Sequence, residues 1–405
     1  MIDSGDTAWV LAASALVLLM TPGLAFFYGG LVRKKNIVST IMYSFVTIGL
    51  VGIVWVLWGY SLAFGNDVEG WKFIGDLGWF GLKDVSANEP GPYSDTIPHQ
   101  AFMIFQAMFA ILTPALVTGA FAERMKFSAL CIFIVLWVTI VYAPLAHWVW
   151  GGGWLGDLGA LDFAGGTVVH ISAGAGALVS ALIIGRRVGF PEQPMGPANV
   201  PMVVLGAALL WFGWFGFNAG SSLAADGVAT NAFVVTNTAA AAAMMAWLFM
   251  SWMIDKKPSA VGAASGAVAG LVAITPAAGF VGPMPALIIG LGAGVFCYSM
   301  VKLLLKLRVD DALAVFGVHG IGGIWGALAT GLFVGVGYAA LGDGVSRVEQ
   351  IFYQLIAIGA AFGWSFVVTG IIMLAIKYTI GLSADEEGEG MGLDLTEHGE
   401  AAYEP

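Results

Sequence analysis

Eleven apolar stretches constrain this chain more than any other feature. A helix of about 20 apolar residues crosses the hydrocarbon core of a bilayer. Such stretches fall at residues 7–32, 37–64, 99–121, 127–149, 163–185, 200–218, 229–254, 259–278, 284–305, 312–334 and 350–381. Charged residues make up 10% of the chain, against about 25% in a typical soluble domain. The sequence therefore predicts an all-α polytopic membrane protein with eleven transmembrane helices and excludes an ordinary soluble enzyme.

The basic residues predict how these helices are oriented. All but three of the 16 Lys and Arg residues follow odd-numbered stretches; the exceptions are Lys72, Lys83 and Arg347. Cytosolic loops carry an excess of Lys and Arg, so we expect the N-terminus outside the cell membrane and the C-terminus in the cytosol. Asp3 and Asp6 flank the first stretch where a signal peptide would be basic, which predicts a retained helix.

Most of the net charge belongs to the end of the chain. The formal net charge is −10, and eight acids lie between Ala384 and Pro405 without a Lys or Arg. Acidic runs are usually solvated, which predicts a transmembrane domain over residues 1–382 and an acidic cytosolic tail over 383–405. A basic footprint for nucleic acid is absent from the sequence. Cys131 and Cys297 lie within apolar stretches and are predicted to pack between helices.

Two histidines occupy matching places in the fifth and tenth stretches. His170 is followed four residues later by Gly174, and His319 is followed four residues later by Gly323. The two stretches run in opposite directions, which predicts an inverted repeat of five plus five helices and one extra helix. Each histidine lies roughly 10 Å along its helix from the end where that helix enters the membrane. Both are therefore predicted near the midplane, with depths that differ by roughly 10 Å.

An ionisable residue inside a membrane indicates function by default. A neutral imidazole carries one donor and one acceptor nitrogen, so the pair suits a small polar molecule or a proton better than a metal ion. A zinc site would need three or four ligands, and metalloprotease or hydrolase motifs are absent around both histidines. We therefore predict a transporter without cofactor or metal rather than an enzyme, with two unrelated structural histidines as the alternative.

Five segments resemble signatures of the ammonium transporter family (Amt/Mep/Rh), most closely those of a prokaryotic Amt-type member. They are Asp162-Phe-Ala-Gly-Gly-Thr-Val-Val-His170, Gly119-Ala-Phe-Ala-Glu-Arg124, Trp214-Phe-Gly-Phe-Asn-Ala-Gly-Ser221, Phe316-Gly-Val-His-Gly320 and Gly392-Leu-Asp-Leu-Thr-Glu-His-Gly-Glu400. The resemblance implies an eleven-helix fold, a homotrimer with one pore per subunit, and ammonium and ammonia as substrates, with methylammonium as a further candidate. It also implies a PII-type regulatory partner on the cytosolic face.

The resemblance assigns roles to individual residues. Phe109, Trp150 and Ser221 correspond to an outer site that recruits ammonium, and Phe109 and Phe217 correspond to stacked rings that close the pore. His170 and His319 correspond to the twin histidines that line the pore below these rings. The supporting residues that the resemblance implies are Asp162, Trp214, Phe105 and Gln106.

Helix geometry and charge are consistent with these roles. Trp214, Phe217 and Ser221 are spaced three and four apart and so share a helix face, and aromatic rings attract cations. Asp162 precedes His170 by eight residues, or roughly 12 Å along a helix. That distance is too great for a bond to the imidazole, so we expect an N-cap or electrostatic role for Asp162.

Two positions depart from the family pattern, and two alternative functions remain open. Ala314 stands where relatives often have an acid, and Trp325 stands where small residues are frequent; both bear on the inner vestibule. The expected function is recruitment of ammonium, its deprotonation, and conduction of ammonia with net movement of a proton or charge. The alternatives are a Rhesus-like electroneutral channel for ammonia or carbon dioxide, against which Trp150 and Ser221 argue, and an ammonium sensor.

Overall fold

The computed structural model describes residues 1–403, so Glu404, the last acid of the predicted tail, lies outside the described residues. Within residues 1–403, ten helices are long and apolar enough to cross a membrane. They are α1 (Ser4–Leu31), α2 (Lys34–Phe64), α3 (His99–Ala120), α4 (Phe127–Leu158), α5 (Gly166–Ile184), α6 (Val200–Ser222), α7 (Gly227–Asp255), α9 (Pro283–Lys306), α10 (Phe316–Phe333) and α11 (Arg347–Thr379). The eighth predicted stretch forms a shorter apolar helix, α8 (Ala260–Ile274), which ends just before Pro276, where a helix is disfavoured.

Polar side chains fix the positions at which several of these helices begin. Asp3, Asp226 and Ser259 each accept hydrogen bonds from backbone N–H groups in the first turn of α1, α7 and α8. Ser346 and Glu349 form a reciprocal capping box at the start of α11. These caps satisfy N–H groups that have no partner within the helix.

The bundle has two faces, defined by the segments that cover them. The loop face carries residues 65–98, which include a short antiparallel hairpin of β1 (Pro90–Gly91) and β2 (Ser94–Pro98). The tail face carries residues 382–403 and a short helix, α12 (Glu386–Met391). The hairpin is a small departure from the all-α architecture that the sequence predicts.

Helix packing follows the predicted inverted repeat. Helix α1 packs along α6, the first helices of the two halves, and α5 crosses α10, the last helices of the two halves, while α11 packs on the outside of α5. At the crossing, a Cβ on Gly174 would lie 2.3 Å from the Cα of Gly320, and one on Gly323 would lie 2.9 Å from the carbonyl oxygen of Gly166. Glycines thus let the two backbones touch.

We expect Gly174→Ala to destabilise the protein by about 1–3 kcal/mol, because the added methyl would meet backbone that cannot move aside. Gly359 on α11 has open space around its Cβ position, so Gly359→Ala serves as the matched control and should cost little. Thermal unfolding of the detergent-solubilised variants measures the difference. Equal midpoints for the two variants would contradict the close crossing.

Candidate transport site

His170 and His319 are in direct contact where α5 crosses α10. Their Nδ1 atoms are 3.3 Å apart, and the rings are stacked with centroids 5.3 Å apart. Each histidine lies in a π-helical turn, Gly166–Ile171 or Phe316–Gly320, a distortion found frequently at functional sites. The sequence predicted both histidines near the midplane, at depths that differ by roughly 10 Å, a gap that errors of a few residues in the helix boundaries could close. The structure shows contact, because the glycine crossing brings the two turns together.

This histidine pair has hydrogen-bonding capacity that the protein does not use. Each neutral imidazole has one N–H, so one Nδ1 donates to the other. The ring that donates keeps an acceptor at Nε2, and the ring that accepts keeps a donor at Nε2. His170 is 0% exposed, and among residues 1–403 its Nε2 has no hydrogen-bond partner. The pair can therefore offer one donor and one acceptor without carrying a charge.

A continuous series of rings leads from the histidine pair toward the loop face. Trp214 and Phe217 on α6 stack against His170 at centroid distances of 5.4 and 5.9 Å. The ring centroid of Phe217 lies 4.3 Å from that of Phe109 on α3, and neither phenylalanine is more than 1% exposed. The Trp214 Nε1 donates to Thr275 Oγ1 at 2.9 Å, which fixes its ring. Phe109 and Phe217 thus lie between the histidine pair and the loop face, with no opening between their rings large enough to expose either side chain.

A pocket of about 310 Å³ opens on the loop face beyond these rings. Phe109 and Trp150 line it with their rings nearly perpendicular and 6.2 Å apart. Ser221 lines it as well, and its hydroxyl donates to the Phe217 carbonyl at 2.8 Å, which leaves the oxygen free to accept. The three residues assigned to recruitment by the resemblance therefore share one pocket.

Phe105 and Gln106 occupy different places beside this pocket. Phe105 is fully buried behind Phe109, with ring centroids 4.9 Å apart, and does not line the pocket. Gln106 does line it, and its buried Oε1 has no hydrogen-bond partner among the described residues. Gln106 therefore offers a second acceptor to an occupant of the loop-face pocket, whereas Phe105 packs against the ring of Phe109.

The sequence patterns did not indicate three further aromatic residues of this pocket, Tyr93, Phe102 and Phe163. Phe102 precedes Phe109 by two helical turns and could have been found from that spacing. The Tyr93 ring stacks on Phe102 at 4.8 Å, and its hydroxyl donates to the carbonyl of Phe64 at 2.6 Å. Tyr93 reaches the pocket from the β-hairpin, a placement that no local sequence signal encodes.

Two aspartates cap the π-helical turns that carry the histidines. Asp162 accepts from three backbone N–H groups at the start of α5, at 2.6–2.8 Å. Asp311 accepts from the N–H groups of Val315 and Phe316 at 3.0 and 2.8 Å. Each aspartate precedes its histidine by eight residues, so the repeat extends to the caps. The Trp150 Nε1 donates to the Asp162 carbonyl at 2.9 Å, which connects this cap to the loop-face pocket.

On the other side of the pair, a cavity of about 350 Å³ opens to the tail face. His319 and Ala314 line this tail-face cavity, and Ala314 adopts a left-handed backbone conformation with φ of 58°. Trp325 faces away from it: its Nε1 donates to the carbonyl of Ile289 at 2.9 Å, and its ring packs over Gly292. The Ala314 departure thus bears on the cavity, whereas the Trp325 departure does not.

A buried charge network joins the helix ends at the tail face. Glu123 pairs with Arg33 and Arg187, and Asp310 pairs with Arg187 and Arg124. Burial by itself would raise the pKa of Asp310, but hydrogen bonds from Arg187 and the nearby charge of Arg124 hold it below the usual value. Glu123 and Arg124 end the second family signature, so the structure gives that signature a role in joining helices.

The C-terminal segment docks on the tail face. Asp394 is 2% exposed and accepts from the N–H of Ser39 at 2.8 Å, and Glu397 accepts from the N–H of Phe127 at 3.0 Å. The Asp394 carboxylate caps the α-helical part of α2, which begins at Ile37 after a 3₁₀ turn, and the Glu397 carboxylate caps the first turn of α4. Glu389 is also buried. Charge alone predicted a solvated tail, and that is wrong for these residues, because helix N-termini need acceptors for their free N–H groups. The docking agrees with the packing on the inner face that the family resemblance implies for residues 392–400.

Comparisons with known proteins show the family of this chain. A protein-family model described as Ammonium Transporter Family matches residues 8–403. The chain belongs to the ammonium transporter family. It is 54% identical over 406 residues to the ammonium transporter of Bacillus subtilis, with 99% of this chain and 98% of that protein covered. This likeness supports membrane transport of ammonium. It also confirms the prediction of a prokaryotic-type member.

Solved structures confirm the predicted fold. Mep2 of Saccharomyces cerevisiae superposes with a TM-score of 0.88 at 39% identity, covering 95% of this chain and 88% of that one. A structure described as a sensor Amt protein superposes with a TM-score of 0.90 at 32% identity, covering 97% of this chain and 98% of that one. The chain is thus a multi-pass membrane protein with the ammonium-transporter fold.

Proposed function

We propose that the protein takes ammonium into the loop-face pocket, removes its proton, and conducts ammonia past His170 and His319 to the tail-face cavity. The observation that carries this proposal is the contact between the two buried imidazoles, which leaves one donor and one acceptor unused on the path between pocket and cavity. Ammonia is itself both a donor and an acceptor of hydrogen bonds, so a neutral molecule of this size matches the pair.

The loop-face pocket suits the charged form of the substrate. The ring faces of Phe109 and Trp150 attract a cation, and the oxygens of Ser221 and Gln106 can accept its hydrogen bonds. Methylammonium carries the same charge and N–H donors. Recruitment in this pocket therefore raises affinity, while the choice between ions is made further along the path.

Selectivity arises at the closed rings. A charge loses its solvation as it passes the buried Phe109 and Phe217, and desolvation favours the neutral form. Ammonium can give up a proton to water in the loop-face pocket and proceed as ammonia, whereas potassium stays charged and is excluded. In this proposal the proton also crosses the membrane, so transport moves net charge.

We further propose that the loop face lies outside the cell and the tail face in the cytosol. The excess of Lys and Arg after odd-numbered helices supports this orientation. Residues 1–382 then form the transmembrane domain of a homotrimer, and residues 383–405 form a cytosolic segment. A PII-type regulatory protein would contact the tail face, where that segment is docked.

Replacing Trp150 by Leu removes the larger ring of the pocket. We expect the half-saturating ammonium concentration to rise about 2- to 30-fold, corresponding to a cation–π contribution of about 0.5–2 kcal/mol, while potassium remains excluded. Ammonium-evoked current in proteoliposomes measures the half-saturating concentration, and the current evoked by potassium measures its exclusion. Trp154→Leu is the control, because Trp154 packs against Trp148 outside the pocket. An unaltered half-saturation in the Trp150→Leu protein would show that the recruitment assignment is wrong.

The same recordings separate the alternative functions. Ammonia flux without current would favour an electroneutral Rhesus-like channel over the proposed function. Ammonium binding without flux would favour a sensor, an alternative kept open by the likeness to a structure described as a sensor Amt protein. Ammonium-dependent current that saturates with concentration supports the transporter.

A further inference from the structure

We infer a second ammonium site at the mouth of the tail-face cavity, formed by Asp255 and Tyr298 and occupied in the structure by the amino group of Lys302. The inference rests on the proposed function, because it concerns the ammonium that forms again when ammonia leaves the histidine pair. It adds an exit site to the recruitment site of the opposite face.

The geometry around Lys302 is that of a cation site. Its Nζ lies 2.7 Å from Asp255 Oδ1 and 5.5 Å from the centroid of the Tyr298 ring, over the ring face. The Tyr298 hydroxyl donates to Asp255 Oδ2 at 3.0 Å, which orients the carboxylate. Tyr298 is 3% exposed and packs edge-on against Trp247 at 5.8 Å, so the ring itself is held in place.

A lysine amino group and an ammonium ion share the chemistry that this site recognises. Both are compact positive charges surrounded by N–H donors. A carboxylate accepts charge-assisted hydrogen bonds from such a group, and an aromatic face attracts it. Groups that hold the end of Lys302 would therefore hold free ammonium in the same position.

The position of the site suits substrate that is leaving. Asp255, Tyr298 and Lys302 line the same cavity as His319. Ammonia that passes His319 takes up a proton from water in this cavity and becomes ammonium. The Asp255 carboxylate and the Tyr298 ring both attract this ammonium ion as it moves toward the tail face.

Lys302 makes the site weak, which favours release. The amino group is tethered beside the site, and a short tether acts as an effective concentration in the millimolar range. Free ammonium therefore displaces Lys302 only at about millimolar concentrations or above. The side chains of Lys302 and Asp255 are 46% and 41% exposed, so exchange with ions from solution is unobstructed. Lys302 acts as a built-in competitor that prevents the exit site from retaining the product.

Removing the competitor tests this inference. Lys302→Met keeps an unbranched side chain, one heavy atom shorter, but removes its charge. We expect ammonium on the tail-face side of oriented proteoliposomes to inhibit uptake half-maximally at a concentration about tenfold below the wild-type value, since the millimolar competitor is gone. Inhibition is expressed relative to each variant's own uptake rate without ammonium on that side. Ammonium on the tail-face side also reduces the concentration gradient that drives uptake, and this reduction is the same for all proteins.

Two matched variants complete the test. Lys306→Met removes a positive charge one turn further along α9, from a residue that does not line the cavity, and should behave like wild type. Adding Asp255→Asn to Lys302→Met removes the charge of the carboxylate and should raise the half-inhibiting concentration back to the wild-type value or above it. If Lys302→Met assembles poorly, Lys302→Gln carries the same prediction with a polar side chain.

The competing interpretation is that the Asp255–Lys302 pair only joins α7 to α9. It predicts lower stability for Lys302→Met with the same inhibition as in wild type and in Lys306→Met. That result would overturn the exit site. A failure of the proposed function is distinguishable, because it would appear as absence of ammonium current in the wild-type protein with no ammonium on the tail-face side.

Discussion

Replacing His170 or His319 by Ala is expected to reduce ammonium flux at least about tenfold without admitting potassium. Either change deletes a donor and an acceptor from the buried path and leaves the remaining imidazole without its Nδ1 partner at 3.3 Å. A lost hydrogen bond costs about 0.5–1.5 kcal/mol, and a buried group left unpaired costs about 1–3 kcal/mol. Together these terms exceed the 1.36 kcal/mol that corresponds to roughly a factor of ten in rate.

An acid at the same position is expected to behave differently. His170→Glu or His170→Asp offers a partner that can carry a negative charge, so a cation is tolerated where only a neutral molecule passed before. Transport should persist with weaker exclusion of potassium. Ion-resolved flux per assembled protein in liposomes separates this outcome from that of the alanine variants.

A buried histidine outside the path provides the control. His147 is 0% exposed and hydrogen-bonds to the Ala63 carbonyl at 3.1 Å and to Asp67 at 3.3 Å, so His147→Gln should change stability but not ion selectivity. If the histidine pair were only structural, its variants would resemble His147→Gln. Full ammonium flux with unaltered selectivity in the double alanine protein would refute the proposed path.

Deleting the residues after Gly381 is expected to lower ammonium uptake severalfold while the protein remains in the membrane. The deletion removes the carboxylates that cap α2 and α4, and each lost cap costs about 0.5–2 kcal/mol of local stability. Asp394→Ala should reproduce part of the effect because it removes the acceptor of the Ser39 N–H alone. Uptake and the amount of protein in the membrane are measured together.

An acid of the same segment that is exposed supplies the control for the tail. Glu387 lies on α12 and is exposed, so Glu387→Gln changes the charge of the segment without removing a cap and should leave uptake unchanged. Unchanged uptake and regulation after the full deletion would show that the docked segment has no part in transport.

The sequence by itself determined the class of fold, the family and several residues of the candidate site. Apolar length is a local property, so the membrane-crossing helices and their order follow from it. The paired spacing of His170 to Gly174 and of His319 to Gly323 indicated the inverted repeat, because symmetry of this kind is visible as repeated intervals. Spacing also placed Trp214, Phe217 and Ser221 on one face of α6, which the structure shows.

Only the tertiary structure decided how these parts meet. The contact between the imidazoles depends on backbone approach at a crossing of two helices 149 residues apart in sequence, and local periodicity says nothing about the angle or depth of a crossing. Tyr93 enters the loop-face pocket from a hairpin, Trp325 turns away from the tail-face cavity, and Lys302 lies over Tyr298. The acidic segment docks because the free N–H groups of two distant helices need acceptors. Each of these placements joins residues that are remote in the chain, so the packing of the whole bundle determines them.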